Sequence, residues 1–93
     1  MGGGIEFDWD ANNTKHLKRH RVTPAEFEEL IAGDPVFLEY AVENGEERFK
    51  VLGATKLRRV LIAVWTLRDG KIRAITAYAA GRSHQKLYWE TCG

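Results

Sequence analysis

Ninety-three residues, 44% apolar and 29% charged, are enough for one compact core and too apolar for an intrinsically disordered chain. No apolar run approaches the roughly 20 residues that span a bilayer, and no stretch has the layout of a secretory signal. The net charge of +1 conceals a division: residues 1–47 carry 4 Lys/Arg against 11 Asp/Glu, and residues 48–93 carry 10 against 2. Such asymmetry points to an anionic partner, a nucleic acid or a membrane surface. It is equally met by neutralisation within the fold, an acidic helix lying against a basic sheet. The lone Cys92 leaves no internal disulfide and no cysteine-built zinc site, so a reducing cytoplasm is the expected location.

In chain order, Met1-Gly2-Gly3-Gly4 reads as a flexible lead-in of the kind cloning leaves, and residues 5–93 are expected to form a single domain. Ile5–Trp9 alternates apolar and acidic residues, as a short half-buried strand does. Asp10 can cap a helix running to about His20, on which Asn13, His16, Leu17 and His20 share one face. Thr23 and Glu26 make a T-x-x-E capping box with Pro24 at the first helical position; Val22 and Phe27 occupy its staple positions. Phe27, Leu30 and Ile31 form the buried stripe of this second helix, which Gly33 and Pro35 end. The period then becomes extended. Val36–Val42, Arg48–Ala54, Val60–Leu67 and Ile72–Ala79 are strands, separated in part by the turn signals Asn44-Gly45 and Asp69-Gly70. The nearly unbroken apolar run Val60–Trp65 belongs at the sheet centre. A closing helix spans Gly81 to about Glu90, with Ser83 as its cap and Leu87 and Tyr88 on its packing face. The fold class is α+β, a mainly antiparallel sheet flanked by helices in the order β-α-α-β-β-β-β-α.

Chemistry-bearing motifs are few. His16 and His20 stand at i and i+4, but no Glu lies between them as zinc peptidases require, and they read as half-buried helix residues with hydrogen-bond partners. No phosphate-cradling glycine loop and no nucleophile elbow is present. Neither a metal nor a cofactor is expected. What remains is a set of cations, Arg48, Lys50, Arg73 and Arg82, able to grip phosphate, the arginines bidentately. Beside them Glu46, Tyr78, His84 and Tyr88 are groups that move protons. Strand alternation puts Arg48 and Lys50 on one face, with Phe49 and Val51 on the other, and Lys71 and Arg73 on a common face. RNA cleavage without a metal uses such parts: a base for the 2′-hydroxyl, cations for the crowded phosphate, an acid for the leaving oxygen. Basic strands also occur simply as solvated sheet edges.

The string Trp9–Glu29, WDANNTKHLKRHRVTPAEFEE, resembles the N-terminal signature of BrnT-type toxins, in which a W-D pair leads a short helix to a basic-His-x-Val junction. Gly45–Arg48 (GEER), Leu52–Thr55 (LGAT), Arg58–Ala77 and the closing Leu87–Glu90 (LYWE) follow in the family's order and spacing, so the likeness runs from Glu6 to Glu90. Three positions depart from the family pattern. Arg21 stands where Gly is usual, Tyr78 where an S-A-R-like pattern is common, and His84 where Glu is frequent.

The resemblance implies a RelE-like fold and a toxin of a bacterial type II toxin–antitoxin operon, a metal-independent endoribonuclease that cuts RNA to arrest growth. It also implies a hetero-oligomer with a cognate antitoxin bearing a ribbon-helix-helix DNA-binding part, and no membrane. On this reading Glu46, Arg48, Arg73, Tyr78 and Arg82 are the catalytic set: Arg48 and Arg73 stabilise phosphate, Glu46 is base or orienting carboxylate, Tyr78 and Arg82 assist. Lys50, Arg58, Arg59, Lys71 and Lys86 contact RNA, and an acidic antitoxin segment covers the basic face at rest. The rival is a non-catalytic RelE-like module that only binds a protein or nucleic acid.

Overall fold

The computed structural model describes residues 4–92. The expected lead-in, apart from Gly4, lies outside the described residues. Three helices and four strands follow in the order α1 (Ala11–Arg19), α2 (Pro24–Ala32), β1 (Val36–Glu43), β2 (Glu46–Ala54), β3 (Val60–Arg68), β4 (Lys71–Ala79) and α3 (Arg82–Cys92). The strands form one antiparallel sheet in the order β1-β2-β3-β4, which puts the apolar β3 inside, as its composition predicts.

Strand alternation sorts the core onto two faces. Val51, Leu61, Ala63, Ala74 and Ala77 face Leu17 of α1 and Phe27 and Leu30 of α2. Leu52, Val60 and Ile62 face the other way, towards Tyr88 and Trp89 of α3. Gly53 lies under α2 because a Cβ there would meet Leu30 Cγ at 2.9 Å. Both tight hairpins turn on residues with left-handed backbone: Asn44 and Gly45 (φ 54° and 77°), and Asp69 and Gly70 (φ 53° and 79°). This is why Asn-Gly and Asp-Gly mark them in sequence.

Caps set the helix starts. Thr23 and Glu26 close the expected box, each side chain reaching the other's backbone N–H. Asp10 and Asn13 make a second box, and the Asn13 amide also donates to the Asp8 carbonyl at 2.8 Å, so this buried polar side chain is satisfied. At the end of α1 the Arg21 N–H donates to Lys18 O and the Val22 N–H to Leu17 O. These are the paired bonds of a Schellman motif, with Arg21 at φ 59° in the left-handed position that favours glycine. A Gly at this place would be free of that steric cost, and Arg21 bears strain. Arg21→Gly is expected to stabilise the chain by roughly 0.5–1 kcal/mol after the greater chain entropy of glycine is subtracted. A thermal melt should show a rise of about 2–8 °C; a fall would mean the Arg21 side chain contributes more than the strain costs.

Three expectations need correction. Ile5–Trp9 is not a strand: only Phe7 bridges, parallel, to Ile72, through Asp8 N–H to Ile72 O and Ile72 N–H to Glu6 O. The segment leaves the sheet edge at once because Asp10 turns to cap α1. Ser83 is not the cap of α3, which already begins at Arg82, with Gln85 N–H donating to Gly81 O. Leu87 is 41% exposed, while Tyr88 and Trp89, one and two residues on, carry the packing of α3.

Candidate functional site

The sheet face that carries α3 is only partly covered by it. Beyond the helix, alternation brings Glu46, Arg48 and Lys50 of β2 to that face, beside Glu39 and Glu43 of β1. Two adjoining hollows form there, of about 240 Å³ and 310 Å³. Glu39, Glu43, Arg48, Lys50, Thr76 and Tyr78 line the first. Asn13, His16, Glu46, Thr66, Arg68 and Arg73 line the second. Ile75 belongs to both, and it is the extra residue where the β3–β4 register slips between Val64 and Trp65. A bulge re-aims side chains locally. Here it puts the edge strand's Thr76 and Tyr78 over one hollow while Arg73 serves the other.

Acids from the first half return to these bases. Arg48 is gripped from both sides, Nη1 3.2 Å from Glu43 Oε1 and Nη2 3.2 Å from Glu46 Oε1, with Nε also donating to Glu46 at 3.3 Å. Lys50 Nζ lies 3.5 Å from Glu39 Oε1. Arg73 reaches across the sheet edge, its buried Nη1 2.9 Å from Asp10 Oδ2 and 3.6 Å from Asp8 Oδ2, in ion contact outside hydrogen-bond geometry. The Arg73 guanidinium, followed by the Asn13 N–H, holds the Asp10 carboxyl below its ordinary value. The charge division along the chain is thus partly neutralised in space, chiefly by strand β1 and the N-terminal segment rather than by the acidic helix. The Arg48 and Lys50 pairs are solvent-exposed and contribute at most about 1 kcal/mol each, so they orient these two cations without removing them from use.

The other named residues lie elsewhere. Arg59 donates to the Arg21 carbonyl at 2.7 Å and pairs with Glu26 at 3.1 Å, tying the β3 approach to α2. Burial pushes the Glu26 carboxyl up, but the Thr23 N–H and Arg59 outweigh it and leave the group lowered. Arg58, with left-handed backbone, lies 4.3 Å over the Trp89 ring. Arg82 and Lys86 are exposed on α3, and Lys71 is exposed at the start of β4 beside Arg68. None of these five lines either hollow.

Among the lining residues that the sequence did not single out for this site are His16 and Thr76. His16 Nε2 lies 3.2 Å from Thr76 Oγ1. Its ring is 5.5 Å from that of His20, which is 6.2 Å from the Tyr78 ring. The expected hydrogen-bonded, half-buried state holds for His16, whereas His20 is exposed. The i, i+4 spacing was the available signal. That α1 lies along the β4 edge was not readable from it.

Across the sheet, Phe37, Tyr40, Val42 and Leu67 are exposed, and Phe49 stacks on Trp65 at 4.4 Å. Tyr40 donates its hydroxyl to Glu47 at 2.7 Å, and that carboxylate raises the phenol's pKa. No helix of the described residues is long and apolar enough to cross a membrane.

No curated protein matches the chain significantly. A family model described as the ribonuclease toxin BrnT of type II toxin–antitoxin systems matches residues 9–84, which takes in α1 to the first turn of α3 and every residue of both hollows. A match over that much of the chain makes it a member of the BrnT family of type II toxin–antitoxin ribonuclease toxins.

Proposed function

We propose that this toxin cuts RNA in the groove formed by the two hollows, without a metal, and that the cuts arrest growth. The observation that carries the reading is the convergence of Arg48, Lys50, Arg73 and Tyr78, drawn from two strands that are not neighbours, around one concave face. Cations fixed before substrate arrives stabilise the charge of a crowded phosphate without reorganising, the largest single contribution in many such sites. Glu46, which accepts from Arg48, acts as an orienting carboxylate.

A cytoplasmic hetero-oligomer with an antitoxin carrying a ribbon-helix-helix part completes the proposal. The in-chain acids give that antitoxin less free positive charge to neutralise than the sequence division suggests. The same pairing favours a second reading, a binding module whose cations are structural. Expression without an antitoxin separates the two. Growth arrest that Arg48→Ala relieves supports the ribonuclease, whereas unimpaired growth at full protein level supports the binding module.

A further inference from the structure

The His16–Thr76 contact joins the two hollows. His16 reaches from α1 to Thr76, and Thr76 lines the hollow holding Arg48 and Lys50, while His16 lines the one holding Arg68 and Arg73. A phosphodiester bridging the two cation sets would cross at this contact. The ribonuclease reading needs a proton acceptor at that crossing, and the carboxylates are poorly suited. Glu43 and Glu46 are engaged by Arg48, Glu39 by Lys50, and Asp8 and Asp10 by Arg73. An imidazole exchanges its proton near neutral pH, which suits general base work. The hydroxyl of Thr76 both donates and accepts, so it holds His16 in either tautomer and can yield its place to a substrate hydroxyl.

We propose that His16 is the general base of RNA cleavage in this toxin, an assignment that rests on the ribonuclease reading above. Nε2 takes the proton of the ribose 2′-hydroxyl as the 2′-oxygen bonds to phosphorus. The bond from phosphorus to the 5′-oxygen breaks, and that oxygen takes a proton from the hydroxyl of Tyr78, which lines the first hollow. The products are a 2′,3′-cyclic phosphate and a 5′-hydroxyl. His16 then releases its proton to water and Tyr78 regains one, so only RNA is consumed. The groups around His16 are Arg73 and Thr76 from β4, Thr66 and Arg68 from β3, Glu46 from β2, Asn12 and Asn13 from its own helix, and His20 at the C-cap of that helix.

The test compares the full chain with His16→Gln, whose amide can still reach Thr76 but cannot accept a proton at this pH. Single-turnover cleavage of a short RNA is followed from pH 5 to 9, and binding is read on the same oligonucleotide with 2′-deoxy sugars. The expected result is a loss on the order of a hundred- to ten-thousandfold in rate. The pH dependence that a general base gives the rate should vanish with it, while binding stays within about twofold. His16→Asn carries the same test should the glutamine variant fail to fold. Cleavage by either variant at the wild-type rate with the wild-type pH profile overturns the histidine assignment alone. Wild-type chain that leaves RNA intact overturns the assignment together with the ribonuclease reading.

Discussion

Arg48→Ala is expected to lower RNA cleavage on the order of a hundred- to thousandfold while leaving the chain folded. Two effects act in the same direction. On the proposed reading the variant loses a guanidinium placed to meet phosphate in the first hollow, and it leaves Glu43 and Glu46, each 3.2 Å from that group, as uncompensated negative charge that repels an anionic substrate. Stability should change little, because the Arg48 side chain is 31% exposed and its partners more so. The contrasting variant is Arg59→Ala. Arg59 holds the Arg21 carbonyl and Glu26 away from both hollows, so its loss should lower the melting temperature and spare the cleavage rate of the folded fraction. Rate constants under single-turnover conditions, with circular dichroism melts of each variant, check both halves. Equal loss of cleavage in the two variants would mean that charge in general, and not the placed Arg48, drives the reaction.

Phe27→Ala should cost about 3–5 kcal/mol of stability, the usual range for truncating a buried phenylalanine. Phe27 is fully buried and stands at the centre of the α1–α2 face of the sheet. It meets Phe7 edge-on at 6.3 Å and Trp9 edge-on at 5.5 Å, contacts that add to its apolar burial. These contacts fasten the N-terminal segment, which among the described residues has two backbone hydrogen bonds to β4. That segment carries Asp8 and Asp10, the acids that hold Arg73. The substitution therefore removes much of the roughly 5–15 kcal/mol available to a small domain and loosens one wall of the groove. A urea titration should show a lower midpoint with an unchanged slope. A loss under about 1 kcal/mol would contradict the packing described.

Much of this architecture was legible because local chemistry specifies it. Asn44-Gly45 and Asp69-Gly70 demand left-handed backbone, so they mark the hairpins wherever the chain goes. Thr23 and Glu26 start α2 by satisfying each other's backbone donors. The Asp10–Asn13 box works the same way, but Asn in place of Glu or Gln disguised it. Ile5–Trp9 has the alternation of a strand, and nothing local reveals that Asp10 must leave the sheet edge to cap a helix. Leu87 failed as a core residue because the face that α3 turns to the sheet is set by tertiary contact with Leu52, Val60 and Ile62.

The site divides along the same line. Period-two alternation was enough to place Arg48 and Lys50 together. Their pairing with Glu43 and Glu39 depends on the β1–β2 register, in which a bulge between Phe37 and Glu39 shifts the partners by one. The approach of His16 to Thr76 joins residues 60 positions apart and depends on how α1 lies along β4. Only the fold could show it.

The most direct test of the account is to incubate the purified chain with a single-stranded RNA in the presence of EDTA and to map the ends of any fragments. The account predicts cleavage that the chelator does not diminish, with 5′-hydroxyl ends on the downstream products. Intact RNA, or cleavage that EDTA abolishes, would contradict it.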